Sequence, residues 1–127
     1  MRAGAARRAV DSKWAHVALR VEAHLRAKNE KTYEYQIQVL RLGDVAIVGL
    51  PGEPFVEAGL EIKLASPAAF TYVAHLPSWP DPSYLPTRRA FERGGYETLS
   101  HVCRLAPGAL ETITAEAIDL LKEMFAK

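Results

Sequence analysis

The chain has 127 residues, 49% of them hydrophobic and 24% charged, with 16 Lys and Arg against 15 Asp and Glu. That is the length of one domain or a piece of one, and a domain of this size buries roughly two-thirds of its unfolded surface without staples. A net charge of +1 makes no broad positive field, so nucleic acid and anionic membrane are excluded as expected partners.

The first eight residues, Met1 to Arg8, have the basic flavour of an export signal, but Ala9-Val10-Asp11-Ser12-Lys13 is no apolar h-region. No apolar stretch approaches the roughly 18 residues of a transmembrane helix. The chain therefore reads as soluble, with its compartment left open. Residues 5 to 28 read as a helix, because Val10, Trp14, Val17, Val21 and Leu25 recur at spacings of three and four and form one apolar stripe. Asn29-Glu30-Lys31-Thr32 is a polar break. It divides the chain into a helix with linker, residues 1–32, and an α/β segment, residues 33–127.

From Tyr35 the pattern alternates, with Tyr35, Ile37 and Val39 on one face and Gln36, Gln38 and Leu40 on the other, as a strand requires. Gly43-Asp44 is a two-residue hairpin signal. The run Val45–Leu50 is apolar on both faces, which predicts a central, covered strand. Pro51-Gly52-Glu53-Pro54 follows, and Pro54 suits the first turn of a helix. That helix is expected to reach Ala65 with Phe55, Val56, Leu60 and Leu64 inward, and Ser66-Pro67 ends it. Phe70–Leu76 reads as a strand parallel to Val45–Leu50 through a right-handed crossover.

Residues 77–87 hold Pro77, Pro80, Pro82 and Pro86, too many for helix or central strand, and predict a stiff loop at a site wall. Thr87 to Arg93 reads as a short helix closed by Gly94-Gly95. A last helix runs from Ala109 to Phe125, with Ile113, Ala117, Leu120, Leu121 and Met124 as its apolar face. The expected fold is mixed α/β (α+β). It has a small three-stranded mixed sheet, a β-hairpin, one βαβ crossover, and N- and C-terminal helices packed on the sheet.

Few residues carry a chemical signal. Glu53 sits at the mouth of a strand-to-helix turn, where α/β proteins place ligands; a bare carboxylate there is also favoured by the helix dipole alone. Tyr84 is either a loop tyrosine resting on the core or part of that mouth. His75 ends a strand near the same place and reads as structural or as an acid/base. Arg88, Arg89 and Arg93 form a solvated face or orient an anionic group. Cys103 is the sole cysteine, so no intrachain disulfide or Cys-rich zinc site exists. His101, two residues away, points elsewhere. No Gly-x-Ser-x-Gly elbow and no phosphate-cradling glycine loop is present.

Taken together, two segments resemble the neutral/alkaline ceramidase family and its less characterised bacterial branch. One is Gly43 through Phe55, an apolar strand followed by Pro51-Gly52-Glu53. The other is Ser83-Tyr84-Leu85-Pro86-Thr87 leading to Gly94-Gly95-Tyr96-Glu97, with the closing Leu105-Ala106-Pro107-Gly108 and its helix. The resemblance covers about residues 35 to 125. It implies a zinc-dependent amidohydrolase cleaving an N-acyl bond, with Glu53 and Tyr84 as metal ligands. The two histidine ligands of that family lie in an N-terminal part that residues 1 to 34 do not match. The expectation is thus a C-terminal segment with half a zinc site, inactive alone, partnered by a complementary N-terminal part or a homo-oligomer. The alternative is a non-catalytic α/β interaction or structural domain. A small oligomeric enzyme built around Glu53, Tyr84 and His75 is a third reading.

Overall fold

The structure, a computed structural model, describes Leu19, Arg20, Ala23, residues 32–76 and residues 83–126. Leu19, Arg20 and Ala23 are helical; the rest of the helix expected over residues 5–28, and residues 77–82 of the proline-rich loop, lie outside the described residues. The chain divides into two units, Met1–Tyr33 and Glu34–Lys127, and every strand among the described residues belongs to the second.

That second unit is mixed α+β. Strand β1 (Gln38–Leu42) turns at Gly43-Asp44 into β2 (Val45–Pro51), and the hairpin pairs Leu42 with Val45 and Gln38 with Gly49. A two-residue strand β3 (Glu53–Pro54) and helix α1 (Val56–Ala65) then lead to β4 (Phe70–Leu76). Strand β4 lies parallel to β2 with Ala46 opposite Thr71 and Leu50 opposite His75. The sheet order is β1-β2-β4, so the most apolar strand is central, as its sequence predicts. A second, two-stranded pairing joins β3 to β5 (Tyr84–Leu85). Helix α2 (Arg88–Arg93), a 3₁₀ turn (Tyr96–Thr98) and helix α3 (Ala109–Phe125) complete the chain.

The core lies on one face of the sheet. Ala46, Val48 and Leu50 of β2 pack with Ala58 and Ile62 of α1 and with Leu110, Ile113, Ala117 and Leu121 of α3. Tyr35, Ile37 and Val39 add to it, which keeps the alternation read from the sequence although only Gln38–Leu42 enters the ladder. On the other face the registers form two apolar rows, Leu42–Val45–Phe70 and Leu40–Ile47–Tyr72. Leu40, Leu42, Phe70 and Tyr72 are exposed there. Strand β2 itself has no exposed residue, its burial alternating between buried and half-buried, while α1 and α3 both pack on the side of Ala46, Val48 and Leu50.

Helix α1 departs from expectation. Ala58 and Ile62 face the core, while Val56, Leu60 and Leu64 are exposed by 70%, 53% and 87%. The helix is apolar on two opposite sides, so its periodicity does not choose between them. Pro54 is not in its first turn; it pairs with Leu85 in β3, and Phe55 takes the N-cap position. Helix α3 has the expected bounds, and its buried face is Leu110, Ile113, Thr114, Ala117 and Leu121. Leu120 is 39% exposed. The Thr114 hydroxyl donates to the Leu110 carbonyl at 2.7 Å, which satisfies it inside the core. At the far end, Arg41 stacks over the Phe125 ring and donates to the Met124 carbonyl, closing the helix C-terminus.

This orientation of α1 predicts a contrast between two neighbouring positions. Ile62→Ala empties a fully buried site and costs about 2–5 kcal/mol, whereas Leu64→Ala changes stability by no more than about 0.5 kcal/mol. Urea denaturation of both variants checks this, and equal losses would reverse the assignment of faces.

Candidate functional site

Glu53 and Tyr84 come together because β2 does not run straight into a helix. The strand ends at Pro51, and Gly52 takes φ +90°, a conformation that a Cβ resists. This bend turns the chain into the short extended pair Glu53-Pro54. Tyr35 fastens the bend from the side, its hydroxyl donating to the Pro51 carbonyl at 2.6 Å. The returning chain then meets it: Glu53 N–H donates to the Ser83 carbonyl at 3.0 Å, and Phe55 N–H donates to the Leu85 carbonyl at 3.1 Å. Leu85 is fully buried and anchors this second strand in the core.

The parallel register sets Glu53 directly against Tyr84. The Tyr84 hydroxyl donates a hydrogen bond to the Glu53 carboxylate. That bond, then the charge of Glu53, then partial burial, hold the phenol above the ordinary tyrosine range, with smaller contributions from Tyr96 and Glu97. The Tyr84 ring meets Tyr96 edge to face, centroids 6.1 Å apart at 79°. Helix α2 positions the 3₁₀ turn that brings Tyr96 in. Thr87 caps α2 by accepting the Ala90 N–H at 3.2 Å, and Gly94 and Gly95 close it.

Other residues singled out in the sequence sit elsewhere. Glu53 lies before α1 rather than in its first turn, where Glu57 is the acidic residue, so the helix dipole does not account for Glu53. His75 is exposed and lines a cleft of about 310 Å³ with Phe55, Val56, Leu60, Lys63 and Val73. Arg88, Arg89 and Arg93 are exposed. The backbone N–H of Arg88 donates to Glu111 at 2.7 Å. Arg89 and Arg93, with Glu57, Glu97, Thr87 and Thr98, border a cleft of about 260 Å³, so their positive charge there is balanced by two carboxylates. Cys103 is buried, and burial pushes its thiol up against a smaller opposing backbone bond at Leu105. Such a thiol is unreactive.

As a chemical site, Glu53 and Tyr84 set a carboxylate and a phenol side by side across the β3–β5 pair. Among the described residues, no three His, Cys, Asp or Glu side chains gather in a metal-ligating group. Tyr96 and Glu97 are the site neighbours that the sequence does not pick out individually. Their signal is the Gly94-Gly95 pair, which returns the chain toward Tyr84. Among the described residues, no helix is long and apolar enough to cross a membrane. No protein-family model, curated protein or solved structure matches this chain.

The Tyr84–Glu53 bond makes a signed prediction. Tyr84 ionises above the ordinary value near 10, and Glu53→Gln returns it toward that value. The difference in tyrosinate absorbance between each protein and its Tyr84→Phe counterpart measures the shift. Because the unfolded phenol ionises first, the bond's contribution to stability is complete below pH 10 and fades as pH rises through the folded value.

Proposed function

We propose that this chain is the C-terminal portion of a ceramidase-like, zinc-dependent amidohydrolase, with Glu53 and Tyr84 as two of the metal's ligands. The observation that supports the reading is the direct pairing of these two residues across β3 and β5. They are the two that the resemblance assigns as ligands, and no local sequence pattern would bring them into contact. Their chemistry fits: a carboxylate oxygen is a ready zinc ligand, and a phenol becomes one when a cation stabilises its deprotonated form.

In this reading the remaining ligands come from a complementary N-terminal part, in cis or on a partner chain. Zinc, when bound, supplies Lewis-acid polarisation of the amide carbonyl and a water activated at neutral pH. The chain's own residues hold and orient. The Gly52 bend and the β3–β5 pairing fix the Glu53 carboxylate, and the Tyr84 oxygen beside it would serve as the second ligand once its proton had passed to solvent. Tyr96 packs against the Tyr84 ring and limits its rotation. The half-site alone does not hydrolyse amides.

A non-catalytic interaction domain is the second reading, and the exposed stripe of α1 is the observation that favours it. Zinc titration by calorimetry separates the two. The wild-type chain is expected to bind zinc weakly, and Glu53→Gln and Tyr84→Phe each weaken that binding by about tenfold or more. A wild-type chain without affinity for zinc leaves the interaction domain as the better reading.

A further inference from the structure

Strand β4 pairs with β2 along one edge, and no described strand takes the other. Free edges are normally protected by proline, by lysine or other charge, by a bulge or by a covering segment. The opposite edge strand, β1, carries Arg41, tied to the end of α3. Strand β4 reads Phe-Thr-Tyr-Val-Ala-His-Leu, with no proline, lysine, arginine or carboxylate along its seven residues. It is rich in aromatic and β-branched residues, the composition that favours pairing.

Both sides of this edge are prepared for another strand. On the outer face Phe70 and Tyr72 are 61% and 57% exposed, at the ends of the two apolar rows. On the inner face a cleft of about 310 Å³ is lined by Val56, Gly59 and Leu60 of α1 and by Val73 and His75 of the strand. A side chain added at Gly59 would meet nothing within 4 Å, so the wall of that cleft is open at its centre. A strand laid beside β4 would put alternate side chains into this cleft and against Phe70 and Tyr72.

We propose that the occupant is a second copy of the chain, with the two β4 strands pairing antiparallel across a two-fold axis into a six-stranded sheet. The edge is suited to meet itself. An isologous contact sets each residue against residues of the same patch, and here no pair of like formal charges results. Centring the pair on Val73 sets Tyr72 opposite Ala74 of the second copy, a large ring over a small residue. The same register sets Thr71 opposite His75 on the inner face. Each outer face then continues into the next, so that Phe70 and Tyr72 of both copies lie on one surface. This inference does not draw on the metal reading.

Light scattering after size exclusion, on the full chain at about 10–100 µM, tests it. The expected mass is twice the 14.0 kDa of the chain. Tyr72→Lys adds a charge at the pairing edge and returns the mass to that of one chain, with circular dichroism unchanged. Leu40→Lys lies on the same sheet face but on β1, away from the edge, and leaves the dimer intact. Hydrogen exchange gives an independent reading in the wild-type chain: protection of β4 amides rises with protein concentration. A wild-type monomer, or a dimer that survives Tyr72→Lys, overturns the proposal. Loss of the dimer in Leu40→Lys overturns it too, since the contact would then be face to face.

Discussion

Two backbone hydrogen bonds, Glu53 N–H to the Ser83 carbonyl and Phe55 N–H to the Leu85 carbonyl, tie the exit of the central strand to a segment that returns only after α1 and β4 are complete. The core supplies the force that keeps them closed. Leu85 belongs to the same buried cluster as Leu50 and Ile62, so opening the pairing exposes apolar surface as well as two amides. Everything at the site depends on this brace. The bend at Gly52 has a direction because its far side is held, and α1 starts at Val56 because the two residues before Phe55 are committed to β3. Tyr84 faces Glu53 because a parallel register allows no other neighbour.

Where the signal is local, the sequence reads correctly. Gly43-Asp44 marks the hairpin, Ser66-Pro67 the end of α1, and Phe70 to Leu76 a strand. Gly108 precedes the start of α3, with φ +94° and the Arg88 guanidinium against the position a Cβ would take. The departures share one cause. Helix α1 has apolar residues on both sides, and only the surroundings decide that Ala58 and Ile62 go inward while larger Leu60 and Leu64 stay out. The β3–β5 pairing is two residues long, too short for any periodicity, and it links positions far apart in the chain. Glu53 and Tyr84 are therefore singled out one by one in the sequence, while the pairing that sets them side by side is not legible in it.

The same folding choices leave two parts of the molecule open. Placing α1 and α3 on one face of the sheet finishes a core but leaves Leu40, Leu42, Phe70 and Tyr72 exposed on the other and, among the described residues, the β4 edge unpaired, which is unusual for strands paired in parallel. The brace sets a carboxylate beside a phenol, which in the proposed reading is half of a zinc site. The two open features lie toward the same end of the sheet, since His75 of β4 stands opposite Leu50, next to the bend that carries Glu53. A chain that meets a partner along this edge brings that partner close to the bend.

The metal-ligand role proposed for Glu53 and Tyr84 can be read from the ionisation of Tyr84, because the hydrogen bond to Glu53 and a bound cation shift it in opposite directions. Without metal, the bond to Glu53 holds the phenol above its ordinary value. A cation ligated by both residues favours the phenolate. The measurement is a spectroscopic titration of the tyrosines with and without zinc, in the wild-type chain and in Glu53→Gln. Zinc is expected to move the Tyr84 ionisation from above pH 10 to below it, and Glu53→Gln is expected to remove the zinc effect. A Tyr84 titration that zinc leaves in place would contradict the proposed ligand role.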